Sequence, residues 1–187
     1  MNFANKISTF RVLSVPFFIA SLVYYVPGKE YLRWLALGIF VMAVVSDAVD
    51  GYIARKSKQK SEAGMILDPL ADKLLLMSAF ICLGLKRGLL IRFPLWVMLI
   101  VISRDVIILI GVFVIYMVKQ HINISPTMWG KLTTVFQMLA VIAILIQLRI
   151  SFMVWWLAII FTVISGIDYI KRGFKTLYVL DNPRHLN

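Results

Sequence analysis

Nine acidic residues occur in this 187-residue chain, and four of them, Asp47, Asp50, Asp68 and Asp72, sit within or beside strongly apolar stretches. A carboxylate within a membrane-like span is costly, so each needs a partner, a cavity or a function. The spacings of three (Asp47 to Asp50) and four (Asp68 to Asp72) put each pair on one helical face. Two such faces can converge on one point. Four carboxylates gathered in a low dielectric repel one another and take up protons unless cations sit among them. Hard oxygen donors suit Mg²⁺, Mn²⁺ or Ca²⁺, and four shared carboxylates suit two such ions, a centre that can bind a diphosphate and activate a hydroxyl.

The elements that must carry these residues follow from composition. Hydrophobic residues make up 61% of the chain and charged residues 16%, with mean hydropathy +0.88, values a soluble domain seldom reaches. The chain belongs in a bilayer, where a span takes roughly 20 residues of helix. Apolar runs between polar or Pro/Gly breaks predict helices over 7–26, 32–57, 66–85, 94–118, 128–148 and 151–171. The expected fold is therefore all-α: six transmembrane helices in one bundle, a single domain over 1–187. Lys6 and Arg11 ahead of the first apolar run resemble a signal peptide, but no small-x-small cleavage site follows, so this run reads as a retained first helix.

Twenty Lys and Arg against nine Asp and Glu give a net charge of +11. In so apolar a chain this reflects topology and anionic headgroups, and nucleic acid is not an expected partner. The N-terminus, the 55–60 and 119–131 loops and the tail hold twelve of the cations, and the opposite loops six. That bias predicts a multi-pass protein of the cytoplasmic (inner) membrane, its termini and aspartate cavity facing the cytoplasm. On this reading Asp47 and Asp50 lie roughly 8–12 Å above the cytoplasmic end of the second helix. Asp68 and Asp72 occupy the mirrored place on the third, and the short loop predicts that the two helices pack side by side. The lone Cys82, inside an apolar run, reads as a small filler.

Between the two aspartate pairs stand Gly51, Ala54, Arg55 and Gly64. Small residues let a ligand approach the backbone, and an Arg supplies fixed donors to phosphate oxygens. Singly, each Gly or Ala is explained as well by close helix packing; the set as a whole is not. The string Asp47-Ala-Val-Asp50-Gly51-Tyr-Ile-Ala54-Arg55, eight residues, then Gly64-Met-Ile-Leu-Asp68-Pro-Leu-Ala-Asp72 resembles the motif of the CDP-alcohol phosphatidyltransferases, with no position missing. The resemblance implies transfer of a substituted phosphate from a CDP-linked donor, CDP-diacylglycerol, to an alcohol, with release of CMP. It implies that Asp47, Asp50, Asp68 and Asp72 hold two divalent cations, Mg²⁺ or Mn²⁺, and that Asp72 is also the general base. Gly51, Ala54, Arg55 and Gly64 would line the CDP-donor site with Asp47, Asp50 and Asp68, and a homodimer is implied.

The motif leaves the acceptor open. Arg104, in mid-span of the fourth helix, and Lys131, at the start of the fifth, are the candidate acceptor-binding cations. Asp105 adjoins Arg104, but neighbouring helical residues point apart and need not pair. The phosphatidylglycerophosphate synthase branch carries Ala-Arg-Glu-Phe, a second Arg eight residues on, and Gly-Lys-x-Lys-Thr. Here stand Ser103-Arg104-Asp105-Val106, Val112, and Gly130-Lys131-Leu132-Thr133-Thr134. With two of four cations absent, a soluble dianion would be held less well. The run Ile102 to Val106 is similar to cardiolipin synthases, so phosphatidylglycerol is the favoured acceptor and glycerol 3-phosphate the alternative.

Other features weigh less. Asn5, Thr9 and Arg11 resemble the family's N-terminal segment, and Arg11 reads equally well as an interfacial, headgroup-binding cation. Lys73 suits a phosphate or a salt bridge. His121 and His185 read as solvated, and Trp34, Trp129, Trp155 and Trp156 as interface anchors. A cation or proton transporter is the remote alternative, since intramembrane carboxylates also mark ion pathways; it predicts acids spread through the membrane depth, whereas these four cluster near one face.

Overall fold

A computed structural model describes residues 3–57, 62–119 and 128–181, with side chains described over 10–49, 73–111 and 128–171. Six helices follow one another: α1 (Phe3–Val23), α2 (Glu30–Ser57), α3 (Glu62–Leu85), α4 (Leu95–Lys119), α5 (Met128–Ile146) and α6 (Ser151–Asp181). The protein is all-helical, as the apolar runs predict. Three ends differ from that prediction by several residues. α1 and α3 each begin four residues earlier, and α6 runs ten residues past the predicted 171, because polar and charged residues continue a helix beyond hydrocarbon at no cost.

The bundle is apolar on its outside as well as its inside. Leu13, Phe17, Met42, Leu99 and Ile110 are each more than half exposed, a pattern that suits acyl chains and not water. Among the described residues Glu30–Val49, Met128–Ile146 and Ser151–Lys171 are each long and apolar enough to cross a membrane.

Packing arranges the helices as two four-sided rings sharing an edge. The first runs α1–α2–α5–α3 and back to α1, the second α3–α4–α6–α5 and back to α3. Phe18, Phe40, Leu76, Phe80, Leu83 and Ile144 fill the core of the first ring. The expected meeting of the cytoplasmic halves of α2 and α3 falls on residues 50–72, whose side chains lie outside the described residues. Among the described residues α2 and α3 stand on diagonal corners, with α1 and α5 packed against both. A short connection fixes only how far apart two helix ends are, and leaves room for other helices to wedge between the shafts.

At the end of the bundle away from the 58–61 loop, neutral hydrogen bonds lock the connections. Gln147, at φ 61°, closes α5: its N–H reaches Ile144 O at 3.0 Å and the next N–H, Leu148, reaches Ala143 O at 3.0 Å. This is the Schellman arrangement, usually built on Gly. Gln stands there because its amide is fully used: Oε1 accepts from Ile91 N–H (2.8 Å), and Nε2 donates to Ile91 O (2.9 Å) and Ile144 O (2.7 Å). Lys86 Nζ caps the end of α1 through Val23 O at 2.7 Å. Trp155 and Trp156 do more than anchor, since they form an aromatic cluster with Trp96 at centroid distances of 5.3–5.6 Å.

Candidate active site

Helix bounds set the depth of the motif. Asp47 lies ten residues before Ser57, and Asp72 ten residues after Glu62, so both stand about 15 Å from the connecting loop. Asp50 and Asp68 lie seven and six residues from the same ends. The two carboxylate pairs are therefore mirrored in depth on diagonal helices of the first ring. The side chains of Asp50, Gly51, Ala54, Arg55, Gly64, Asp68 and Asp72 lie outside the described residues, as do those of Asn5, Thr9, Val112, His121 and His185.

Asp47 is described, and its partner is Arg11 of α1: Nη2 lies 2.9 Å from Oδ1, with the Arg side chain 1% and the Asp 36% exposed. Arg11 is thus a buried partner of the first motif aspartate, which favours its likeness to the family's N-terminal segment over the equally weighed reading as a headgroup-binding cation at the interface. A guanidinium buried in an apolar bundle requires such an anion. Asp47 keeps an open side available to other ligands.

A second charged cluster spans the other ring. Asp105 is fully buried, and its Oδ1 accepts from Lys73 Nζ on α3 at 2.7 Å and from Arg104 Nη1 at 2.6 Å. Arg104 Nη2 donates to Ser165 Oγ on α6 at 2.5 Å. Two expectations change. Adjacent helical side chains do leave the backbone in different directions, but the long Arg104 side chain bends back far enough to pair with Asp105. Lys73 resolves in favour of the salt bridge. Taken by themselves, these three side chains sum to +1. Gly166 lies against Arg104, a Cβ there falling at ordinary contact distance, 3.6 Å, from Arg104 Cγ. Arg104 lies beneath a cavity of about 230 Å³ between α4 and α6, which Ile107, Val163 and Ile167 help to line.

Farther along the same helix pair, the hydroxyl end of the Tyr169 ring packs against Gly111 and donates to Ile108 O at 3.3 Å. A Cβ on Gly111 would fall 2.9 Å from the Tyr169 ring, so only glycine fits. On α5, Thr133 is buried with its hydroxyl 2.8 Å from Trp129 O and 2.9 Å from Phe161 O, and Gln137 Nε2 donates to Thr162 Oγ1 at 3.2 Å. These polar groups seam α5 to α6. Lys131 is exposed in the first turn of α5. No hydrogen bond or ion pair joins it to Arg104 among the described residues, and α4 and α5 stand on diagonal corners.

Reading the sequence alone missed Arg11 as a buried partner, and missed Asp105 and Ser165. A signal for Asp105 was available. It is the only acid on α4 and adjoins Arg104, a cation placed inside an apolar run. Ser165 lies in the run Ser165-Gly166-Ile167-Asp168-Tyr169, which with Gln137-Met138 resembles the glycerophosphate branch, but nothing in it pointed to Arg104, because a serine in a span usually bonds its own helix, as Ser14, Ser21 and Ser78 do.

An apolar-faced helical bundle that buries ion pairs at the depth of a paired-aspartate hairpin is an integral membrane protein built for charged substrates. The chain belongs to the CDP-alcohol phosphatidyltransferase family, whose profile matches residues 1–164. It is 32% identical over 182 residues to the "Probable phosphatidylglycerophosphate synthase" of Mycobacterium tuberculosis (strain H37Rv), covering 94% of this chain and 83% of that one. It is 31% identical to the "CDP-diacylglycerol--glycerol-3-phosphate 3-phosphatidyltransferase" of Aquifex aeolicus (strain VF5), covering 95% and 99% of the two chains. The Bacillus subtilis (strain 168) protein of the same description is also 31% identical, with 94% and 97% covered. The protein is therefore a CDP-diacylglycerol-dependent phosphatidyltransferase of phospholipid synthesis. The family uses divalent cations. Among the described residues no three carboxylate, imidazole or thiol groups come together, since of the four aspartates only the Asp47 side chain falls within them.

Proposed function

We propose that this enzyme transfers the phosphatidyl group of CDP-diacylglycerol to glycerol 3-phosphate, forming phosphatidylglycerophosphate and releasing CMP. The observation that carries the acceptor is the near full-length similarity to relatives described as using glycerol 3-phosphate. This reverses the preference for phosphatidylglycerol drawn from the missing motif cations. That count of cations left out Lys73, which adds a positive charge to the cluster beneath the acceptor candidate Arg104. The position of the second motif Lys, here Thr133, is a buried hydroxyl engaged with backbone carbonyls, a poor place for a dianion.

In this reading Asp47, Asp50, Asp68 and Asp72 hold two Mg²⁺ or Mn²⁺ ions. The half-exposed Asp47 carboxylate, held by Arg11, and the mirrored depths of the four residues suit such a pair. When bound, the ions offset charge on the diphosphate and on departing CMP. Gly51, Ala54, Arg55 and Gly64 line the nucleotide and diphosphate site. Asp72 takes the proton from the acceptor hydroxyl as its oxygen bonds to the phosphatidyl phosphorus and the bond to CMP breaks. Arg104 and Lys131 draw the acceptor phosphate in. The donor's acyl chains remain in the bilayer, where a groove of about 640 Å³ between α1 and α2 is lined by Leu13, Phe17, Leu35 and Met42. The reaction centre faces the cytoplasm, residues 1–187 act as one domain, and the protein works as a homodimer.

The test presents glycerol 3-phosphate and phosphatidylglycerol side by side to purified protein with CDP-diacylglycerol and Mg²⁺ or Mn²⁺, and identifies the lipid formed. Phosphatidylglycerophosphate is the expected product. Cardiolipin in its place overturns the acceptor assignment, and no CMP release with either overturns the whole reading. Asp72→Asn should abolish turnover while donor binding persists; full activity in that variant removes Asp72 from the base role.

A further inference from the structure

Asp105 has no place in the reaction as proposed above, yet its surroundings are the most demanding in the molecule. It is fully buried, two cations share one of its oxygens, and the other oxygen is buried without a hydrogen-bond partner. Arg104 Nε is likewise buried and unpartnered. A cluster that served only to hold the fold would be matched or bettered by apolar side chains of similar volume. Unpaired polar atoms at bilayer depth add to its cost and require an explanation.

We propose that Asp105 is a positioning residue for the acceptor end of the reaction, setting the place of Arg104 and, through Lys73, the rotation of α3 at the turn that carries Asp72. The proposal rests on the reading in which Arg104 meets the acceptor and Asp72 takes its proton. The i and i+1 positions of a helix do not face each other, so the Arg104–Asp105 contact is not imposed by the backbone. The carboxylate draws the guanidinium back from the apolar groove of Ile107, Val163 and Ile167, while Ser165 holds its other end. With Nη1 and Nη2 each engaged, the orientation of the guanidinium is fixed and its Nε–H is left without a partner. Lys73 follows Asp72 directly in sequence and lies on α3, the edge shared by the two rings. Tying Lys73 to α4 limits how far α3 can turn about its own axis at the turn next to Asp72. One carboxylate thereby links the acceptor cation to the proton-accepting helix.

Charge counting separates this role from simple stabilisation. Lys73, Arg104 and Asp105 sum to +1. Asp105→Asn raises the buried charge to +2, Lys73→Met lowers it to 0, and the double variant Lys73→Met/Asp105→Asn returns it to +1. Steady-state kinetics of CMP release are measured for these variants and for Asp105→Glu, with whichever acceptor supports turnover, alongside melting temperatures in detergent. In Asp105→Asn the acceptor KM should rise at least about tenfold while the KM for CDP-diacylglycerol stays within about twofold. Asp105→Glu should recover most of the loss. The double variant should melt near the parent yet keep the raised acceptor KM. A double variant that regains the parent's acceptor KM, or losses shared equally by donor and acceptor, would overturn the proposal. Failure of the acceptor assignment itself shows separately, in the lipid product formed by the unaltered enzyme.

Discussion

The two ends of the bundle solve the problem of buried polarity in opposite ways. Away from the motif, the connections close on neutral hydrogen bonds, a lysine cap and one ion pair near the surface. Gln147 satisfies its whole amide on Ile91 and Ile144, and the hydroxyl of buried Tyr25 donates to Glu30 at 2.9 Å while Glu30 also pairs with Arg33 at 3.0 Å. From mid-bundle toward the motif, full charges are buried against one another: Arg11 on Asp47, which is 36% exposed, and two cations on the carboxylate of Asp105. Short neutral hydrogen bonds fix a shape. Buried charge is costly and is retained where it serves a function.

Substitutions can break that contrast, beginning with the largest effect. Arg11→Leu leaves Asp47 without its cation and should reduce CMP release by about a hundredfold or more, because truncating one partner of a buried pair is strongly disruptive. An activity loss no greater than the fall in folded protein would put Arg11 on the purely structural side. Gln147→Ala removes three hydrogen bonds and keeps the left-handed backbone on a non-glycine residue. It should cost about 2–3 kcal/mol in denaturation while turnover per folded molecule stays unchanged; a changed acceptor KM would blur the division between the two ends.

Smaller effects sharpen the boundary. Gly111→Ala forces its Cβ against the Tyr169 ring and should destabilise by about 1–3 kcal/mol through overpacking, with the loss tracking melting temperature. Tyr25→Phe should cost about 1 kcal/mol or less. Burial, then the hydrogen bond to Glu30, raises the Tyr25 phenol above its usual value of 10.0. The folded state therefore favours the neutral phenol. Its contribution is whole below pH 10 and is lost only as pH rises through the folded value. Melting curves of parent and Tyr25→Phe should run parallel from pH 7 to about pH 9 and converge above pH 10.

Much of this was legible in the sequence, for identifiable reasons. The aspartate spacings encode helical faces directly, so the motif, the six helices and the family followed from residues 47–72 and the apolar runs. What sequence could not give depended on three-dimensional reach. The i,i+1 rule describes where side chains start, and Arg104 is long enough to defeat it. The short connection said that α2 and α3 are linked, but not that α1 and α5 each pack against both. The preference for phosphatidylglycerol rested on cations counted along motif positions, and Lys73 enters the cluster from outside them. Gln147 gave no sign at all, since its left-handed backbone is paid for by contacts with a distant loop.

The Arg11–Asp47 pair also bears on how the protein enters the membrane. A chain made from its N-terminus delivers α1 before α2 exists, so Arg11 reaches the insertion machinery thirty-six residues ahead of its counter-ion. Left alone in lipid, that guanidinium would pull α1 back toward the headgroups. The smallest piece that can settle with the charge neutralised is the α1–α2 hairpin, so these two helices must partition as a unit, and the reaction centre begins to assemble during biogenesis.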